Sequence, residues 1–143
     1  MLSPTLPRMP SELPAPKVVL LAEEDEHTRE TLAADLRARG YSVVTLEDGL
    51  ALCDYLERAH FSHGTVPCPD LILSEAKLPG YDGLDICRLI HREKGSVPFI
   101  VLAPYEDAET WEGAERAGAC HVLNKPVDLS ELHLAVASYL EDP

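Results

Sequence analysis

The chain has 143 residues, with 12 Lys and Arg against 25 Asp and Glu, a formal net charge of −13. The length fits one domain with a real core, and 45% apolar with 26% charged residues is an ordinary globular composition. No apolar run is long enough to span a membrane, and the acid excess repels phosphate backbones, which argues against a nucleic-acid partner.

Residues 1–16 stand apart. Pro4, Pro7, Pro10, Pro14 and Pro16 break helices and deny strand pairing, which predicts a flexible, partly polyproline-II tail with PxxP spacing. The start lacks a cationic segment followed by an apolar one, so no secretory signal is expected and the protein reads as cytoplasmic. The widely spaced Cys53, Cys68, Cys87 and Cys120 then read as reduced thiols, mostly packed as small apolar residues.

From Lys17 the pattern becomes regular. Val18–Ala22 is a continuous apolar run, as a strand buried on both faces would be. Thr28 to Arg39, with Leu32 and Leu36 one turn apart and Gly40 just beyond, predicts a helix and its cap. Ser42 to Leu46 predicts a strand, and Asp48-Gly49 opens a helix with Leu52, Cys53 and Leu56 on one face. Strands follow at Leu71–Leu73, Phe99–Leu102 and Cys120–Leu123, with helices at Leu84–Arg92, Glu106–Ala117 and Leu129–Leu140. Five short apolar strands alternating with five helices predict an α/β fold, a doubly wound parallel sheet in flavodoxin-like order 2-1-3-4-5 over residues 17–141. Ligand chemistry in such a sheet sits at the carboxyl ends of the strands.

Those ends carry Glu23-Glu24-Asp25-Glu26 after strand 1, Ser74-Glu75 after strand 3, Ala103-Pro104 after strand 4 and Asn124-Lys125-Pro126 after strand 5. The crevice they form would gather Glu23 or Glu24, Glu75 and Lys125. Crowded carboxylates raise one another's pKa unless a cation relieves them.

These segments, with Pro69-Asp70-Leu71-Ile72-Leu73, Leu78 to Gly83, Val97 to Leu102 and Gly118-Ala119, resemble the receiver domain of bacterial two-component response regulators. The resemblance implies phosphorelay signalling. In that family an aspartate ending strand 3 accepts a phosphoryl group, and an acid pair after strand 1 holds Mg²⁺. A hydroxyl residue ending strand 4 and a lysine ending strand 5 bind the phosphoryl group, and an aromatic residue on strand 5 swings inward.

Only Lys125, with Pro126 behind it, matches. Glu75 occupies the acceptor position, and its carboxylate reaches about 1.5 Å further than an aspartate's, a severe shift for a reaction that depends on positioning. Ala103 replaces the hydroxyl, Pro104 has no N–H to offer, and Val122 cannot rotate as an aromatic residue would. The expectation is a stand-alone pseudo-receiver, not an enzyme, with Mg²⁺ binding weak or lost. Three carboxylates against Lys125 and Lys77 leave one negative charge, so Lys77 is expected to replace part of the metal's charge. Glu75 reads as a relic more readily than as a fixed phosphate mimic, since the residues that would respond to it are missing.

Two alternatives follow from the residues. Phosphorylation could fall on a nearby acid, Asp82 or Asp25. A zinc-binding adaptor could use His60, His63 and Cys68, which lie in a long connection before strand 3. The partner expected from the resemblance is a histidine kinase or an output protein, met on the face of helix 4, strand 5 and helix 5. Trp111, with Tyr105 beside it, is the expected contact there, and homodimerisation through the same helices stays open.

Overall fold

The computed structural model describes residues 15–60, 65–93 and 97–141. The expected tail therefore lies, up to residue 14, outside the described residues, as does His63. The elements are β1 (Val18–Ala22), α1 (Glu26–Ala38), β2 (Ser42–Leu46), α2 (Gly49–His60) and β3 (Leu71–Glu75). They continue with α3 (Gly83–Glu93), β4 (Phe99–Pro104), α4 (Ala108–Ala117), β5 (His121–Lys125) and α5 (Leu129–Leu140). All strand pairs are parallel and the order is β2-β1-β3-β4-β5, as the alternation of elements predicts.

The apolar strands are apolar because both their faces are covered. Val19 and Leu21 of β1, Leu71 and Leu73 of β3 and Ile100 and Leu102 of β4 pack with Leu32 and Leu36 of α1 and Leu132 and Val136 of α5. The alternate residues Leu20, Ala22, Ile72, Val101 and Ala103 face Leu52, Ile86, Cys87 and Ala114 on α2, α3 and α4. The strand period of two thus divides one sheet between two helical layers.

Element boundaries differ from the sequence expectation where polar residues decide them. Asp25 accepts 2.8 Å hydrogen bonds from the Thr28 N–H and hydroxyl, which starts α1 two residues early. Asp107 caps Thr110 in the same way, so α4 begins at Ala108 rather than Glu106. Gly118, at φ 99°, ends α4 in the left-handed conformation that favours glycine. Strands β3, β4 and β5 run on through Glu75, Pro104 and Lys125, because ladder pairing needs only backbone. The thiols are free, but Cys68 and Cys120 are exposed, and only Cys87 is fully packed as a small apolar residue. Among the described residues no helix is long and apolar enough to cross a membrane.

Candidate functional site

The register of the sheet brings the ends of β1, β3 and β5 to one point. Glu23 follows β1 and is fully buried, its position fixed by the Glu23 N–H donating to Leu46 O at 3.0 Å. Lys125 Nζ donates to Glu75 Oε2 at 2.8 Å and lies 3.0 Å from Glu23 Oε1, the latter without the alignment of a hydrogen bond. The Glu24 N–H donates to Glu75 Oε1 at 2.8 Å, and the Asp25 N–H donates to Glu23 Oε2 at 3.0 Å. Both Glu75 oxygens therefore already accept a short hydrogen bond. The Glu24 carboxylate is on the exposed surface instead, so two glutamates, not three, share the pocket lysine.

Burial pushes the Glu23 carboxyl up to about 7, and its hydrogen bond to Glu75 adds to the rise. Burial acts on Glu75 in the same direction. The hydrogen bonds from Glu23, Lys125 and the Glu24 N–H outweigh it and hold Glu75 below the ordinary carboxylate value. For Lys125 burial works against the charge, but the two glutamates raise its pKa above that of a free amine. Below about pH 7 the pocket is thus neutral, with a proton on Glu23, a charge on Glu75 and a charge on Lys125.

This corrects the expected role of Lys77. Its ammonium is three-quarters exposed and lies 3.5 Å from Asp107 Oδ2. Lys77 lines the same cavity of about 280 Å³ as Glu75, Pro104, Asp107, Thr110 and Lys125, but it serves Asp107. Below about pH 7 a proton on Glu23 supplies what Lys77 was expected to supply.

A raised carboxyl binds its proton more tightly in the folded state. Its contribution to stability is full below 4.5 and is lost as the pH rises through about 7. Stability is therefore expected to fall across that window, by at most about 1.4 kcal/mol per pH unit for this one proton. Glu75 has the opposite sign: its contribution is lost as the pH falls below the ordinary carboxylate value. Urea unfolding of the wild type and Glu23→Gln at several pH values between these limits checks the sign. The variant should show the shallower slope, and parallel slopes would refute the buried proton.

Magnesium takes an octahedral shell of oxygens. The donors here do not fit it: the Lys125 ammonium contacts both pocket glutamates. Among the described residues no group of three or more His, Cys, Asp or Glu could hold a metal ion. Ala103 is fully buried in the layer beneath α2, α3 and α4, where Val122 is half-buried against the same cluster. Pro104 ends β4 opposite Lys125. Its carbonyl accepts from the Asp107 N–H at 3.0 Å and from Trp111 Nε1 at 3.0 Å.

The two alternative acids are employed as helix caps. Asp25 caps α1 as above, and Asp82 Oδ1 accepts from the Leu84 N–H at 2.8 Å at the start of α3. The expected contact residues exchange weight. Tyr105 is exposed, whereas Trp111 is half-buried beneath it, with ring centroids 5.4 Å apart. Of the zinc candidates, the side chain of His60 and all of His63 lie outside the described residues. Cys68 Sγ faces Ala59 O at 3.6 Å. One residue of the site escaped the sequence reading: Arg29 Nη1 donates to the carbonyls of Glu23 and Glu24 at 2.9 and 3.2 Å, clamping the loop that carries both. Its signal is a lone arginine in the first turns of α1, after an all-acidic loop.

The chain is similar to known proteins over most of its length. The family model of the response regulator receiver domain matches residues 19–137. The chain is 32% identical over 142 residues to the transcriptional regulatory protein PdtaR of Mycobacterium tuberculosis, covering 96% of this chain and 65% of that protein. It is 30% identical over 126 residues to the C4-dicarboxylate transport transcriptional regulatory protein DctD of Pseudomonas aeruginosa, covering 86% of this chain and 25% of that one. The chain thus spans only part of the length of these relatives. The signal receiver domain of an HD domain-containing protein from Pseudomonas fluorescens matches with a TM-score of 0.78 at 26% identity, over 90% of each chain.

Proposed function

This chain belongs to the response regulator receiver family of two-component signalling, and on that premise we propose that its acceptor pocket is closed and that it signals by protein contact without phosphorylation. The observation that carries this reading is the engagement of Glu75, whose two carboxylate oxygens are taken by Lys125 and the Glu24 N–H. A transferring phosphoryl group also needs donors around its oxygens. At the end of β4 there is a methyl group on Ala103 and no N–H on Pro104.

In this reading Mg²⁺ is not held tightly, because the proton on Glu23 and the charge on Lys125 stand in for it. Glu75 is a relic rather than a phosphate mimic. Its charge is neutralised by Lys125, and neither Ala103 nor Val122 can transmit it. The protein acts in the cytoplasm as a non-enzymatic module that meets a histidine kinase or an output protein.

Incubation with a small phosphodonor and Mg²⁺, followed by intact-mass measurement, tests this directly. No gain of a phosphoryl mass is expected, under conditions that modify a receiver with an acceptor aspartate. A stable adduct would overturn the reading, and its position would distinguish Glu75 from Asp82 or Asp25.

A further inference from the structure

We propose that the edge where the five strands end is a docking platform for a basic amphipathic helix of a partner protein, about three turns long. The proposal rests on the reading of a closed pocket, since a platform that must also admit a phosphodonor could not be permanently covered.

In a parallel sheet every strand finishes on the same edge. Here three of those ends are followed by a large apolar side chain in water. Leu50 after β2 is 61% exposed, Tyr81 after β3 is 51% exposed and Tyr105 after β4 is 70% exposed. The three are mounted on firm supports. The Gly49 N–H donates to Pro79 O at 2.8 Å. The backbone of Tyr81 presses so closely on Gly49 that a β-carbon there would lie 2.2 Å from Tyr81 O. Leu50 and Tyr81 are thus held side by side. Tyr105 lies stacked on Trp111, which is tied by its Nε1 to Pro104 O. Apolar groups already fixed in place lose little entropy on binding.

Charge identifies the occupant. Glu24, Glu26, Glu47, Asp82 and Glu106 are exposed in the loops and first turns at the same edge. The cations of the same loops and first turns, among the described residues, are all committed. Arg29 is bound to two carbonyls, Lys77 faces Asp107 and Lys125 faces Glu23 and Glu75. An apolar arc in an uncompensated acidic field fits an apolar stripe flanked by lysine and arginine. β2 and β4 are three strand spacings apart in the sheet, about 14 Å. That is the length of roughly nine helical residues, so a helix of about three turns spans the edge from β2 to β4.

The test uses the full chain and a fluorescent synthetic helix with leucine on one face and lysine on its flanks, at physiological salt. Saturable binding is expected, with none to the same helix carrying glutamate for lysine. Combining Leu50→Ser, Tyr81→Ser and Tyr105→Ser should weaken it roughly tenfold or more. Leu134→Ser, which removes an apolar side chain 69% exposed on α5, should leave it unchanged. Thermal melts confirm that both variants fold. Absence of binding, equal binding by the triple variant, or an equal loss with Leu134→Ser would each overturn the proposal. The phosphodonor experiment fails or succeeds separately, so an adduct there would remove the closed-pocket premise without being confused with a failed docking result.

Discussion

Replacing Lys125 with methionine is expected to destabilise the fold by about 3 kcal/mol near neutral pH, through the loss of one cation from a site that buries two carboxyls. Glu23 is fully buried and the Glu75 side chain only 15% exposed, so neither can recover its hydration in place. What survives is the Asp25 N–H on Glu23 and the Glu24 N–H on Glu75. With the ammonium gone both carboxyls hold protons more strongly, so the loss should shrink as the pH falls and grow as it rises. Adding Glu75→Gln to Lys125→Met removes the stranded charge. The double variant should be more stable than the sum of the two single losses by about 1–2 kcal/mol. Urea unfolding of the four proteins measures this coupling, and strict additivity would refute the pairing on which the closed pocket depends. Glu75→Gln alone has a further signature. It removes the acid that adds to the rise caused by burial and leaves Lys125 to Glu23, so the Glu23 titration should move down from about 7.

The residues that made the fold legible are those whose side chains have one physical reason to be where they are. All-apolar runs such as Val18–Ala22 can only be covered on both faces, and Gly118 fits a left-handed helix end. Boundaries were less legible. Glu106 is a good helix former, yet Asp107 captures the Thr110 N–H and hydroxyl and starts α4 after itself. In the site, the meeting of Glu75 with Lys125 follows from two strands ending on one edge. The partner of Lys77 does not, because Asp107 belongs to a loop whose distance from Lys77 depends on the cavity between β3 and α4. Nor was the proton on Glu23 legible, since its cause is complete burial at a position that the pattern marks only as the first residue after β1. Nor does the pattern decide which of Tyr105 and Trp111 is displayed. The Tyr105 ring above it and the Pro104 carbonyl beside its Nε1 decide that Trp111 supports and Tyr105 is displayed.

The substitution expected to cost most for its size is Gly83→Ala, one carbon added to the first residue of α3. A β-carbon there would lie 2.1 Å from Glu75 O, 3.0 Å from Ala76 O and 3.1 Å from Ser74 Oγ. None of these atoms is free to withdraw. Glu75 is paired with Leu102 in the ladder, the Ala76 N–H donates to Leu102 O at 3.0 Å, and the Ser74 hydroxyl donates to Glu75 O at 2.9 Å. Either α3 leaves the end of β3 or the end of β3 leaves β4, so a loss of about 3 kcal/mol or more is expected. Gly113→Ala supplies the control. It lies inside α4, where a β-carbon meets only Leu84 Cδ1 at 3.3 Å, and alanine's helix propensity favours it by up to about 1 kcal/mol. Propensity favours alanine in both helices, so the difference in urea midpoint isolates the close approach, and equal midpoints would deny it. The displaced atom at Gly83 belongs to Glu75 itself. Whatever Gly83→Ala leaves folded should therefore also lose the alignment of Glu75 with Lys125.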